Sequence, residues 1–327
     1  MGTSSGSLAI AQVAFVADRV GVHETSDWYQ EVFGFLPAGW TDRFGGPDIA
    51  RLQDLSDPDP KLKMAWLVDQ NDAFQLELFE YERPKSRPRR ADWSPRDIGY
   101  SLVTLFVIAF DRTLQRAIAK NALIGHPSGA TGHRRALIAD PNGILLELLE
   151  EDVRATDSRP PARPEVEVAI RSISASVPNL AKSVTFFGTV LGLAAVDDVV
   201  LHGPEHWAMW GLEGADRISR VFVAGDVFLE LVEYRNPRGN PWPTDYQLSD
   251  GGVMNIALAT TSKQLYSRIR SRIGAGNFEC RDLVPGDEVV CSYATDDQGF
   301  SVELLFMAPA AYADFGFVPL AATERAG

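Results

Sequence analysis

Leu76-Glu77-Leu78-Phe79-Glu80-Tyr81-Glu82-Arg83-Pro84 returns as Leu229-Glu230-Leu231-Val232-Glu233-Tyr234-Arg235-Asn236-Pro237, with six of the nine residues identical. Two more stretches repeat in the same order. Trp28 to Phe35 returns as Phe186 to Leu193, and Asp140-Pro141-Asn142-Gly143 through Glu147 returns as Asp296-Asp297-Gln298-Gly299 through Glu303. Three matches in register identify a duplication, and a duplication must be found before any fold is assigned. The copies span residues 1–152 and 167–327. Residues 153–166 join them with a polar, proline-rich run that lacks a hydrophobic period.

Each half divides again. A strand-like run at Ile10–Ala17 precedes an amphipathic helix from about Ser26 to Phe33, and two more strands follow at Leu62–Val68 and Phe74–Glu82. A second strand and helix begin at Leu102–Phe110 and Arg112–Leu123, with strands at Arg134–Ala139 and Ile144–Leu149. The C-terminal half repeats the order, with Asn179 and Ser262 placed as helix N-caps. Gly34 and Gly192 stand where a helix ends in a left-handed residue. The unit is one strand, one helix, then two or three antiparallel strands, used four times.

Composition bounds the function. The 327 residues carry a net charge of −13, which argues against nucleic acid and anionic membranes as partners. No apolar run approaches the ~18 residues of a membrane span, and the N-terminus does not read as a signal peptide. Two cysteines, Cys280 and Cys291, are too few for a disulfide framework or a cysteine zinc site. They flank Val284-Pro285-Gly286-Asp287 and would face each other across a hairpin if one forms there. A cytoplasmic protein that handles small molecules is expected.

These motifs resemble the vicinal oxygen chelate superfamily, which contains glyoxalase I, bleomycin-resistance proteins and extradiol dioxygenases. The resemblance covers about residues 8–310. It implies an α+β fold of four βαβββ modules, paired in order into two tandem glyoxalase-like domains, with a small-molecule pocket in each and a dimer as the family-level expectation. It also implies metal ligands on the first and last strands of each module. Those positions fall on Gln12, Glu77 and Glu147 in the N-terminal half, where the first strand of the second module offers only Leu102 or Thr104. In the C-terminal half they fall on Ser172, Glu230, Asn255 and Glu303. No histidine stands at any of them, so a two-histidine, one-carboxylate iron centre is not expected. A weak site for a hard divalent metal, using Glu230 and Glu303 with Asn255, is the alternative.

A carboxylate inside an apolar strand must meet a partner, a metal or a cavity. Burial raises its pKa and makes it a usable base. Glu303 is therefore the expected base of a C-terminal site, with Tyr293 and Asn255 stabilising an oxyanion. Ser172, Trp207 and Trp210 are the expected pocket wall, the two tryptophans on a strand. Gln12, Glu77 and Glu147 would form an N-terminal pocket. The opposite reading for each Glu is a wetted face or a satisfying arginine. The basic run Arg83, Lys85, Arg87, Arg89 and Arg90 reads as a solvated loop, or as a gate for an anion. The expected function is an acid–base lyase or isomerase acting on a carbonyl or vicinally oxygenated compound. The alternatives are ligand sequestration of the bleomycin-resistance type and, further off, extradiol ring cleavage.

Overall fold

The computed structural model describes residues 7–154, 160–197 and 199–321. Four modules follow one another. The first is β1 (Ala9–Val16), α1 (Val22–Phe33), β2 (Leu36–Gly45), α2 (Pro47–Gln53), β3 (Lys61–Val68) and β4 (Gln75–Arg83). The second is β5 (Gly99–Val107), α3 (Phe110–Ala119), β6 (Leu123–Ser128), β7 (Arg135–Ala139) and β8 (Leu145–Leu149). The third is β9 (Val168–Ser176), α4 (Leu180–Val184) running into a π-helical turn, β10 (Ala194–Val196), α5 (Pro204–Met209), β11 (Asp216–Ala224) and β12 (Val227–Asn236). The fourth is β13 (Gly252–Thr260), α6 (Lys263–Ala275), β14 (Glu279–Leu283), β15 (Val289–Thr295) and β16 (Ser301–Met307). Among the described residues no helix is long and apolar enough to cross a membrane.

The repeat is physical as well as textual. Glu80 accepts the Val22 backbone N–H at 2.9 Å, and Glu233 accepts that of Leu180 at 2.8 Å. Each carboxylate thus satisfies a free donor at the start of its module's helix and faces the positive end of the helix dipole. Asp140 and Asp296 each fold the turn before a last strand by accepting two backbone N–H groups. Gly34 and Gly192 adopt φ of 79° and 87°. Asn179 and Ser262 cap their helices through side-chain bonds to Lys182 and Leu265. Helix α1 begins at Val22, earlier than its hydrophobic period alone indicates, and buries Trp28, Tyr29, Val32 and Phe33. Burial of each such side chain stabilises by about 1.5–3 kcal/mol.

The modules do not pair in order. β1 lies antiparallel to β13, and β5 lies antiparallel to β9. The first module therefore forms one curved eight-stranded unit with the fourth, and the second forms another with the third. A single bridge, Val253 to Tyr100, connects the two units into one 16-stranded sheet. The α+β class and the four modules stand as expected, but the in-order pairing does not. The exchange runs along whole strands. Ala9–Val16 and Gly252–Thr260 are apolar strands that complete each other along their length, and so are Gly99–Val107 and Val168–Ser176. One core, including Val13, Val103, Ile173 and Ile256 with Tyr29, Phe187 and Ile269, runs behind both units.

Candidate functional site

Strand register sets the concave face of the first unit. Ala14 is the neighbour of Asn255 on β13 and of Glu77 on β4. Ala257 is the neighbour of Gln12 on β1 and of Glu303 on β16. One strand further out, Glu77 is flanked by Trp66 and Glu303 by Tyr293. Directly opposed residues share a face. Gln12, Asn255, Glu77, Glu303, Trp66 and Tyr293 therefore form a pseudo-twofold set in which the two halves of the chain exchange roles.

All of these except Asn255 border a cavity of about 330 Å³. Glu77, Glu303, Gln12, Trp66 and Tyr293 line it, with Phe44, Met64, Phe79, Cys291 and Met307 among the apolar wall. Phe315 and Phe317, beyond the last strand, close it. Gln75 holds that closing segment by donating to the Phe315 carbonyl at 2.7 Å. None of its lining residues is a Lys, Arg or His. Trp66 Nε1 donates to Glu77 at 2.9 Å. Burial pushes the Glu77 carboxyl up to about 7 against that bond. Burial, then the charge of Glu77, pushes Glu303 up to about 8. The Tyr293 phenol is driven well above its ordinary range by burial and by the two nearby carboxylates, so it is a neutral donor at any working pH.

The second unit carries the equivalent carboxylates in another state. Glu147 neighbours Thr104, and Glu230 neighbours Ser174. His202 stands between them, with Nδ1 2.6 Å from Glu230 and Nε2 3.0 Å from Glu147. Arg217 reaches Glu230 at 2.7 Å, Arg135 reaches Glu147 at 3.0 Å, and Ser174 donates to Glu230 at 2.9 Å. Desolvation works against every charge here, yet His202 followed by Arg217 holds Glu230 down to about 2. His202, then Arg135, likewise keeps Glu147 below its usual range. The imidazole is desolvated too, but Glu230 and then Glu147 raise it to about 9. Trp210 packs edge-on against His202 at 4.9 Å, and Arg217 stacks over Trp207 at 4.9 Å. Segment 201–215 thus fills the concavity that its counterpart leaves open.

The expected site residues fall out as follows. Glu303 and Tyr293 share one cavity, joined by Gln12 and Glu77 from the other half of the chain. Asn255 lies on the same face but is buried and does not line the cavity. Glu230 and Glu303, expected at one metal site, stand in different units because the modules exchange partners. Glu147, expected beside Gln12 and Glu77, belongs to the ion cluster with Glu230, and an arginine pairs with each of the two. Ser172 faces Thr104 in the second unit, and both hydroxyls are buried without a partner. Trp207 is in a helix and Trp210 caps it, because Gly203-Pro204 opens α5 there. They wall the filled concavity. Cys280 lies across from Ala294 and Cys291 from Leu283, so the two thiols are not opposed. Sequence reasoning passed over Trp66, Arg135, His202 and Arg217. Trp66 carried a signal, since it sits opposite Glu77 in consecutive strands. His202 carried none, being a loop residue without a motif.

Residues 11–148 match the model of the Glyoxalase/Bleomycin resistance protein/Dioxygenase superfamily, which places that part of the chain in the superfamily. A single-substitution mutant of glyoxalase I from Zea mays is 14% identical, with 92% of this chain and 94% of that chain covered and a TM-score of 0.60. A dioxygenase candidate from Bacillus subtilis subsp. subtilis str. 168 is 15% identical, covering 97% and 99% with a TM-score of 0.60. At such identity the likeness is one of fold. No curated protein matches the chain.

The resemblance to metal-holding members of this superfamily raises the question of whether the open cavity suits a metal. Gln12 Oε1 and Asn255 Nδ2 are buried and meet no hydrogen-bond partner. Gln12 turns its other amide atom to Gln75, at 3.0 Å. Among the described residues neither Glu77 nor Glu303 has a cationic partner. Among the described residues no group of three or more His, Cys, Asp or Glu side chains is arranged to hold a metal ion. The donors are two carboxylates and a carboxamide oxygen, all hard, and they suit magnesium or manganese better than a softer ion. Gln12, Glu77 and Glu303 would hold it.

Proposed function

We propose that the chain is an acid–base enzyme, a lyase or isomerase, acting on a small carbonyl or vicinally oxygenated compound bound between Glu77 and Glu303. The observation that carries this reading is the contrast between the two units. Glu147 and Glu230 are each ion-paired to His202 and to an arginine, as structural carboxylates are. Glu77 and Glu303 are buried too, but face an apolar cavity with no cation among its lining residues. Uncompensated burial of that kind is a mark of a functional site.

In this reading Glu303 takes a proton from the carbon next to the substrate carbonyl and returns it to the neighbouring carbon, or lets a β-substituent leave. Tyr293 donates a hydrogen bond to the developing enolate oxygen. Trp66 fixes Glu77, and Phe315 and Phe317 keep bulk water from the intermediate. A divalent ion bound by Gln12, Glu77 and Glu303 would polarise the substrate carbonyl as a Lewis acid.

The test is proton exchange. A panel of α-hydroxy ketones and α-keto aldehydes is incubated with the protein in D2O, with and without Mn²⁺, and deuterium uptake at the α-carbon is followed by NMR. Exchange with at least one compound is expected, lowered about 10²–10⁴-fold by Glu303→Gln. No exchange across the panel, or exchange that survives the substitution, refutes the proposal. The aromatic and apolar wall favours sequestration as the second reading, and tight binding without turnover that survives Glu303→Gln would support it.

A further inference from the structure

The loops that join the modules, residues 84–98 and 237–251, close on each other beside the Val253–Tyr100 bridge. Ile98 donates to the Asn240 carbonyl at 2.9 Å, Asn240 donates twice to Asp97 at 2.7 Å, and Gly251 donates to the Arg87 carbonyl at 2.7 Å. They enclose a cavity of about 460 Å³, distinct from the one between Glu77 and Glu303. That size is ordinary for a small-molecule site. Its wall is mainly flat and apolar, with Trp93, Trp242, Tyr246 and three prolines. Trp242 and Tyr246 are stacked 4.1 Å apart with an interplanar angle of 24°.

Three arginines line this cavity, and two are spoken for. Arg87 is held by Asp250 at 2.6 Å and Asp245 at 2.7 Å, and Arg90 by Asp97 at 2.8 Å. Arg89 differs. Its guanidinium lies 4.1 Å over the Trp93 ring, and its Nη2 donates to the Tyr100 carbonyl at 3.1 Å. Its Nη1 is buried and meets no acceptor, and Arg89 forms no ion pair among the described residues. Asp18 and Asp140 act on it electrostatically without bonding to it. A buried guanidinium with an open donor is destabilising unless something completes it. Burial accordingly pulls its pKa down to about 10.

We propose that this inter-loop cavity is a second ligand site, which takes a small planar aromatic carboxylate. The carboxylate pairs with Arg89, where the fork of guanidinium donors suits it. The ring lies against the flat side chains of Trp242 and Tyr246. The site uses none of the residues assigned to proton transfer, so its standing does not depend on the proposed function.

The probe is 2-naphthoate, titrated into the full chain by calorimetry and by tryptophan quenching, with 2-naphthamide as the uncharged control. One saturable site is expected, with the carboxylate bound at least tenfold tighter than the amide. Arg89→Gln should weaken the carboxylate at least tenfold and leave the amide within twofold, and Arg89→Lys should fall between. Should Arg89→Gln not fold, Trp93→Leu, which changes a half-buried wall residue, should weaken the carboxylate fivefold or more. Equal affinity for acid and amide overturns the proposal. So does naphthoate binding that persists within twofold in a folded Arg89→Gln protein, or in Trp93→Leu where that variant is used.

Discussion

Glu77 and Glu303, on β4 of the first module and β16 of the fourth, line one cavity although they belong to opposite halves of the chain. Each is the last-strand carboxylate of its module. Their convergence follows from the pairing of β1 with β13.

Divalent-ion binding should follow that pairing. After chelation and dialysis, Mn²⁺ uptake measured by calorimetry is expected to weaken at least tenfold in Glu77→Gln and in Glu303→Gln. Glu230→Gln is expected to leave it within twofold, because Glu230 is occupied by His202 and Arg217 in the other unit. Uptake lost equally in all three variants would show that the cavity is not where the ion goes.

The ion cluster should make stability fall on the alkaline side. The His202 pKa is raised from an ordinary 6.5 to about 9 in the fold. A raised histidine contributes stability that is complete below the unfolded pKa and is lost as pH rises through the folded one. The loss therefore runs from about pH 6.5 to 9 and amounts to about 3 kcal/mol for a shift of this size. Urea midpoints at pH 6 and pH 9.5 should differ accordingly in the native protein. In His202→Gln the same comparison should be much flatter, and an unchanged slope would refute the assignment.

Removing one member of that cluster should unfold more than it frees. Arg217→Met leaves Glu230 with a lost charge partner in a dry setting. A loss of about 3–5 kcal/mol is expected by chemical denaturation. A substitution that lowers stability by less than 1 kcal/mol would mean that water reaches Glu230.

The wall of the open cavity can be tested at Gly316. Its φ is +75°, and a Cβ there would stand 2.6 Å from Cγ of Trp66. Gly316→Ala is therefore expected to displace the indole from Glu77 and lower stability by about 1–3 kcal/mol. Trp66 emission should shift with it. A protein with unchanged melting and emission would show that the closing segment packs elsewhere.

Much of this was legible in the residues. The repeated Leu-Glu-Leu strands, the Asp-bounded turns and the capping residues Asn179 and Ser262 are local features, and local chemistry specifies them. Glu77 and Glu303 stand out as carboxylates inside apolar strands, whereas Gln12 and Tyr293 are marked only by the family resemblance. Which of them meet was not legible, because that depends on whether β1 completes itself with β5 or with β13, and both are apolar strands of similar length. The filling of the second concavity was equally hidden. His202 and Arg217 reach Glu230 from a loop and from β11, and no periodicity marks a residue whose role is to neutralise a charge on another element. Trp207 and Trp210 read as strand residues from their apolar surface, and the Gly203-Pro204 start puts them on and at the end of a helix instead.

The cross-pairing of modules makes the chain behave as two subunits tied end to end. Cut within the tether, each fragment would carry half of both concave units and the whole of neither. Each would also expose an unmatched apolar edge at β1 and β5, or at β9 and β13, which is an invitation to aggregate. In this arrangement the open binding surface comes into being only when the last module returns to meet the first.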